Sequence, residues 1–226
     1  MPTLGSFVAQ VRPKLGNRTD IDDRISQWLL ESYREIYSNY DLETLEETDE
    51  SMSTVAGTDG YDYPDTARAI KSIILLQGVQ PIYPKKKDIR VVRKYQVTTQ
   101  GVPAIWAPFA NKFIFRPTPD LVYPMVIDFW IKPEVDTTST VTINATEVLL
   151  PDDWYDVLIM GATERGHHEL QETDKAQATH QILFGDPNPS KGFPGWIKEK
   201  LNRGAAENAV SDYGIRPRVR SYGRGR

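Results

Sequence analysis

Glu164-Arg165-Gly166-His167 sets a carboxylate and an imidazole three residues apart, the spacing that supplies one half of a di-iron carboxylate site in a helical bundle. The other half is missing. The only other histidines are His168 and His180, no second Glu-x-x-His occurs, and the absence of cysteine removes thiolate ligands, iron–sulfur chemistry, disulfides and thiol nucleophiles together. A hydrolase using His167 as base and Glu164 as its partner has the right residue types, but no motif places a nucleophile or an oxyanion donor beside them. There is no Gly-x-Ser-x-Gly. Gly185 to Lys191 contains glycine and lysine without the order of a phosphate loop and is stiffened by Pro187 and Pro189, so it reads as a turn. The expectation is a solvated helix face around residues 164–167 and no catalytic, cofactor-binding or metal site.

The C-terminus carries a different chemistry. From Tyr213 to Arg226 there are five arginines (Arg216, Arg218, Arg220, Arg224 and Arg226) and no acid, which leaves residues 1–212 at −9 within a chain of net charge −4. Guanidinium groups pair bidentately with carboxylate or phosphate. The tail is therefore either a disordered nucleic-acid-binding segment or a peptide that orders on an acidic protein surface, with Tyr213, Ile215 and Tyr222 as apolar anchors. The opposite sign dominates from Glu35 to Asp65, where ten acids precede the next cation, Arg68. Such a block reads as a solvated face or an interaction surface. Seven aromatics (Tyr95, Trp106, Phe109, Phe113, Phe115, Phe129 and Trp130) have the ring faces that single-strand binders stack on bases, but their strand spacing without interleaved cations favours core packing.

These residues must be positioned by a sizeable fold. A chain of 226 residues, 39% apolar and 26% charged, is long enough to bury a core and ordinary enough in composition to exclude wholesale disorder. No apolar run approaches the ~18 residues of a bilayer span, and Met1 to Leu15 lacks the apolar centre of a signal peptide. The expectation is a soluble, unsecreted protein, in which the sequon at Asn144 is a chance match.

Leu4 to Val11 reads as a short amphipathic helix that Pro13 ends near Arg12, with a turn at Gly16-Asn17. Thr19 and Asp22 resemble a capping box, and Ile21, Ile25, Trp28, Leu29, Ile36, Tyr37 and Tyr40 follow the helical repeat. Beyond Asp49 the pattern shortens. Ser53–Ala56, Ala69–Gln77, Gln80–Tyr83, Ala104–Phe109 and Lys112–Arg116 read as strands, Lys85–Tyr95 as a short basic helix, and Ala110-Asn111 as a hairpin turn. Tyr123–Ile131 puts Tyr123, Met125, Ile127, Phe129 and Ile131 on one face and Asp128 on the other, and is the clearest strand. Thr137–Glu147 reads as a polar loop. A helix then starts at Pro151 and continues to about Phe184, some 34 residues or about 51 Å at 1.5 Å per residue, bent at Gly161 and Gly166. Its second half, Thr163 to Gln177, is polar on nearly every side, as expected of a helix that either bridges solvent or packs against neighbouring subunits, and it offers the pairs Arg165–Glu169 and Glu172–Lys175. A last helix is expected from about Pro194 to Val210.

The fold class is accordingly α+β: a helical body with an inserted antiparallel β module and an extended C-terminal tail. The organisation expected is N-terminal helices over 1–50, the β module over 51–135, the long helix and C-terminal helix over 136–210 and the basic tail over 211–226.

Six segments in this order and spacing carry a resemblance: Thr3 to Gly16 (TLGSFVAQVRPKLG), Trp28 to Ile36 (WLLESYREI), Thr54 to Gly57 (TVAG), Gly101 to Trp106 (GVPAIW), Phe113 to Asp120 (FIFRPTPD) and Leu149 to Trp154 (LLPDDW). Over about residues 3–160 the chain resembles the head-to-tail adaptor, or connector, proteins of tailed bacteriophages. Where that family often has a tryptophan near residues 42–47, this chain has Leu42 and Leu45. The resemblance implies a non-enzymatic structural protein of the virion neck, made in the host cytoplasm. It implies a ring, dodecameric to match the portal, that extends the channel for double-stranded DNA during genome ejection. The implied partners are the portal protein, a tail nozzle or tail-tube protein, and other copies of the chain. The tail residues Tyr213, Ile215, Arg216, Arg218, Arg220, Tyr222, Arg224 and Arg226 are the candidate portal-binding set. The alternative is a soluble nucleic-acid-binding accessory protein acting through the same arginines.

Overall fold

The structure is a computed structural model and describes residues 1–135, 137–185 and 195–208, with residues 203–208 as backbone alone. In chain order the helices are α1 (Leu4–Val11), α2 (Asp22–Asn39), α3 (Ile89–Val92), α4 (Thr140–Ala145), α5 (Tyr155–Glu169), α6 (Thr173–Phe184) and α7 (Trp196–Asn208). The strands are β1 (Glu46–Asp49), β2 (Gly60–Asp62), β3 (Ala67–Gln77), β4 (Gln80–Ile82), β5 (Lys85–Lys86), β6 (Ile105–Phe109), β7 (Lys112–Arg116) and β8 (Met125–Ile131). The class is α+β with antiparallel sheets. Two compact units divide the chain: Met1–Ile36 with the described residues from Val135 onward, and Tyr37–Glu134.

The first unit is helical. After α1, Pro13 sits inside a single 3-10 turn, Arg12–Leu15, which Gly16 and Asn17 close in the left-handed region at φ 81° and 58°. The apolar stripe of α2 is buried as its spacing requires, from Ile25 through Trp28, Leu29 and Tyr33 to Ile36. Its first turn differs from the expected capping box, because both oxygens of Asp22 receive the Arg12 guanidinium, Nε at 2.9 Å and Nη2 at 2.5 Å.

Residues 137–147 were expected to be loop, and part of them is helix. Ser139 Oγ accepts from the Thr142 amide at 3.2 Å while Thr142 Oγ1 accepts from the Ser139 amide at 3.1 Å, a capping box with Thr in the usual place of Glu. Ile143, fully buried, anchors the short helix.

The expected 34-residue helix is likewise two helices. Between α5 and α6 the chain turns at Leu170–Glu172, with Gln171 at φ 61° and the Glu172 amide donating to the His167 carbonyl at 2.8 Å. Folding back lets Ala176, Thr179 and Leu183 of α6 be buried, which a continuous rod would leave in water. Nor do the two glycines serve as bends. A Cβ at Gly161 would meet Ser32 Oγ at 3.0 Å, and one at Gly166 would meet Leu15 Cδ1 at 2.7 Å and Trp28 at 3.0 Å. Both exist so that α5 can lie close against α2.

The second unit is a pair of four-stranded sheets, ordered β1-β8-β3-β4 and β2-β7-β6-β5. All pairs are antiparallel except β5 with β6, which is parallel. In β8 Met125, Ile127, Phe129 and Ile131 are buried, while Asp128 on the other face accepts from Thr48 Oγ1 at 2.9 Å and from Ser72 Oγ. Ala110 and Asn111 have φ 49° and 60°, the two left-handed positions that the tight β6–β7 hairpin needs. Leu42 and Leu45 are both buried at the entry to this unit.

Several expectations change here. Ser53–Ala56 contributes only a bridge from Ser53 to Pro124, β1 lies within the 1–50 span expected to hold the N-terminal helices, and β2 was unforeseen. Lys85–Tyr95 begins as strand, because the Lys85 and Lys87 amides donate to the Ala104 and Trp106 carbonyls, and only Ile89–Val92 is helical. Trp106, Phe113, Phe115 and Phe129 are core as expected, but Phe109 is 44% and Tyr95 52% exposed.

Candidate interaction surfaces

The Glu164–His167 pair does not form. His167 is 5% exposed, and its Nδ1 lies 2.6 Å from Glu172 Oε2, across the turn between α5 and α6. Lys175 and then His167 hold the Glu172 carboxyl below the usual carboxylate range, and Lys175 Nζ sits 2.8 Å from its other oxygen, as the helical spacing predicted. Glu164 turns instead to His180 Nδ1 at 2.7 Å, with His168 Nε2 at 4.0 Å. Each carboxylate is thus spent on tying α6 to α5. Among the described residues no group of His, Asp and Glu could hold a metal ion. The other expected pair, Arg165–Glu169, is also replaced: Arg165 reaches Glu31 and Glu35 on α2, while Glu169 accepts from Arg24 at 2.6 Å and from Trp28 Nε1 at 2.8 Å. The polar surface of this segment is therefore satisfied largely inside its own unit, where neighbouring subunits had been expected to do it.

Outside one segment, most of the described cations are paired in this way, which makes that segment conspicuous. Arg68 pairs with Asp41, Lys71 with Glu46, Lys112 with Asp62, and Arg116, almost wholly buried, with Asp59 at 2.6 Å. Between Lys85 and Lys94 the pattern stops. Lys85, Lys87, Arg90, Arg93 and Lys94 are exposed, and none pairs with a carboxylate among the described residues. Their backbone is firmly placed: β5 is bonded to β6, the Asp88 side chain caps α3 by accepting from the Arg90 amide at 2.7 Å, and Val92 is fully buried. Arg93 Cζ lies over the exposed ring of Phe109, 4.4 Å from its centroid, and Lys86 Nζ sits 5.0 Å from the centroid of Trp106 while donating to the Ile70 carbonyl. Tyr83, Val91, Tyr95 and Val97 are exposed in the same stretch. Sequence reasoning took this segment only as a basic helix. The signal that marks it is six cations against the single acid Asp88 within ten residues.

Nine of the ten acids in the block, all but Asp65, fall into two kinds. Glu35, Asp41, Glu46, Asp59 and Asp62 are used in the ion pairs above. Glu43, Glu47, Asp49 and Glu50 have no cation beside them among the described residues, and they lie on or next to β1, an edge strand bonded to β8 on one side only. The candidate portal-binding residues Tyr213, Ile215, Arg216, Arg218, Arg220, Tyr222, Arg224 and Arg226 lie outside the described residues, as do residues 186–194, with most of the expected turn, and the end of the last expected helix. Among the described residues no helix is long and apolar enough to cross a membrane.

The family model described as SU10 adaptor protein matches residues 2–187 of the chain, a span that includes both units' described sheets and helices up to the end of α6. No curated protein matches it.

Proposed function

The chain belongs to the SU10 adaptor protein family, structural head–tail adaptors of bacteriophages, and from that premise we propose that it forms a ring beneath the portal in the virion neck. The ring, twelve copies to match a dodecameric portal, extends the channel through which double-stranded DNA passes without sequence recognition, and offers its far face to a tail nozzle or tail-tube protein. The observation that carries this reading is the family match over residues 2–187, most of the chain. Attachment falls to the C-terminal tail. Its 14 residues from Tyr213 span about 45–50 Å when extended, at 3.3–3.6 Å per residue. That length lets the tail leave its own copy and lie along a portal subunit, with Tyr213, Ile215 and Tyr222 in apolar pockets and the five arginines on carboxylates.

Negative-stain imaging of the protein mixed with portal tests the ring. Truncation after Asp212 tests the tail: the folded body should keep its melting temperature while stable portal attachment is lost, and changing the five arginines to Gln should weaken binding and flatten its salt dependence. Wild-type portal affinity in the truncated protein would remove the tail as the anchor. The second reading, a nucleic-acid binder acting through the tail arginines, requires tight and strongly salt-dependent binding to naked DNA.

A further inference from the structure

We propose that copies of this chain meet side by side through the second unit, the basic segment Lys85–Lys94 of one copy docking on the acidic edge Glu43–Glu50 of the next. The proposal rests on the ring reading above and names the surface that a ring of this chain uses.

Three observations carry it. The two stretches are the places in this unit where several neighbouring charges of one sign go unpaired: Lys85, Lys87, Arg90, Arg93 and Lys94 on one side, Glu43, Glu47, Asp49 and Glu50 on the other. In a unit that pairs Arg68, Lys71, Lys112 and Arg116 internally, five leftover cations and four leftover carboxylates are complementary in sign. Second, the two stretches belong to different sheets: β5 is the end strand of one and β1 the end strand of the other. Among the described residues none of these five cations is paired with a carboxylate of the β1 edge inside one copy. Third, the two surfaces differ in kind, one a capped turn of helix on a strand and the other a sheet edge. A contact between unlike surfaces is heterologous, and heterologous contacts repeat from copy to copy around a ring. Exposed Tyr83, Val91 and Tyr95 give the basic side apolar area, while the acids of β1 deter that edge from pairing with another strand's backbone.

The test is carbodiimide coupling, which joins a carboxylate to a lysine amine as an amide with loss of water. Full-length protein mixed half and half as 14N and 15N material is coupled at low salt, and the linked peptides are read by mass spectrometry. The result expected is mixed-isotope links from Lys85, Lys87 or Lys94 to Glu43, Glu47, Asp49 or Glu50. Two charge-reversed variants, E47K/E50K and K87E/R90E/K94E, should each lose those links at least tenfold alone, and their equimolar mixture should restore them. In parallel, each preparation is imaged with portal. A ring on the portal without these links overturns the contact and leaves the adaptor reading standing. The links without a ring support the contact and remove the ring reading. If instead a 30-base-pair duplex binds the wild type, abolishes the links, and fails to bind K87E/R90E/K94E, the basic segment is a DNA-facing surface and the proposal falls.

Discussion

At the scale of single residues, the sequence supplies the chemistry of each side chain but not its exposure. His167 and His168 are adjacent and identical in type, yet one is buried against Glu172 and the other is largely in solvent. A solvated helix face would treat them alike, and the structure separates them. His167→Ala removes a buried ring and leaves Glu172 without its partner across the α5–α6 turn, so urea denaturation should show a loss of about 2–3 kcal/mol. His168→Ala should stay within about 0.5 kcal/mol. A second residue gives a pH signature. Tyr123 is buried and donates its hydroxyl to Asp120 at 2.7 Å; that bond, with burial, pushes its pKa up to about 12 from 10.0. The unfolded chain then loses this proton at a lower pH than the folded chain does. Tyr123 therefore contributes stability that is complete below pH 10 and is lost as pH rises toward about 12. In Tyr123→Phe the urea midpoint should fall less steeply across that interval than in the wild type, and an unchanged slope would show that Asp120 does not hold the proton.

Elements are legible where local pattern and burial agree. The buried face of Tyr123–Ile131 survives into the structure because its period-two apolar set is written in the residues themselves, and the β6–β7 turn because Asn111 tolerates the left-handed region, Ala110 being held there by the hairpin. The break between α5 and α6 is not written that way. Leu170-Gln171-Glu172 contains neither Gly nor Pro, and the turn exists because Glu172 bonds back to His167 and because α6 has a face to bury, both consequences of tertiary packing. Hidden elements follow the same logic: β1 forms in an acidic stretch because β8 offers it an edge, and α4 because Ser139 and Thr142 cap each other without the usual Glu. The candidate basic surface was readable as composition but not as surface, since only the ion pairing of the other cations shows that these were left over. Glycine roles show the same limit. Gly166→Ala gains about 1 kcal/mol of helix propensity but drives a methyl group into Leu15 and Trp28, an overpacking cost of about 1–3 kcal/mol. Thermal denaturation should show net destabilisation, and a stabilised variant would mean that Leu15 has room to move aside.

At the scale of the whole molecule, the chain's economy of charge bears on when copies associate. Ten of the fourteen described cationic side chains outside Lys85–Lys94 are already paired internally, so what remains for a neighbour is a limited set of exposed charges and a few exposed apolar side chains. Exposed ion pairs contribute about 0–1 kcal/mol each and are screened by salt. Four or five of them supply at most a few kcal/mol, against about 4–15 kcal/mol for the lost freedom of two associating proteins. The isolated protein should therefore be monomeric at micromolar concentration and physiological salt. On a portal the balance changes, because copies held side by side on a template meet at a high effective concentration and no longer lose that freedom at each lateral contact. Light scattering across a salt series checks this. The expected result is one monomeric mass near 0.15 M salt, with weak, reversible growth as salt is lowered and the Debye length rises from about 8 Å toward 30 Å. A stable dodecamer in the absence of portal, unchanged by salt, would mean that the lateral interface is built on buried apolar area instead of charge.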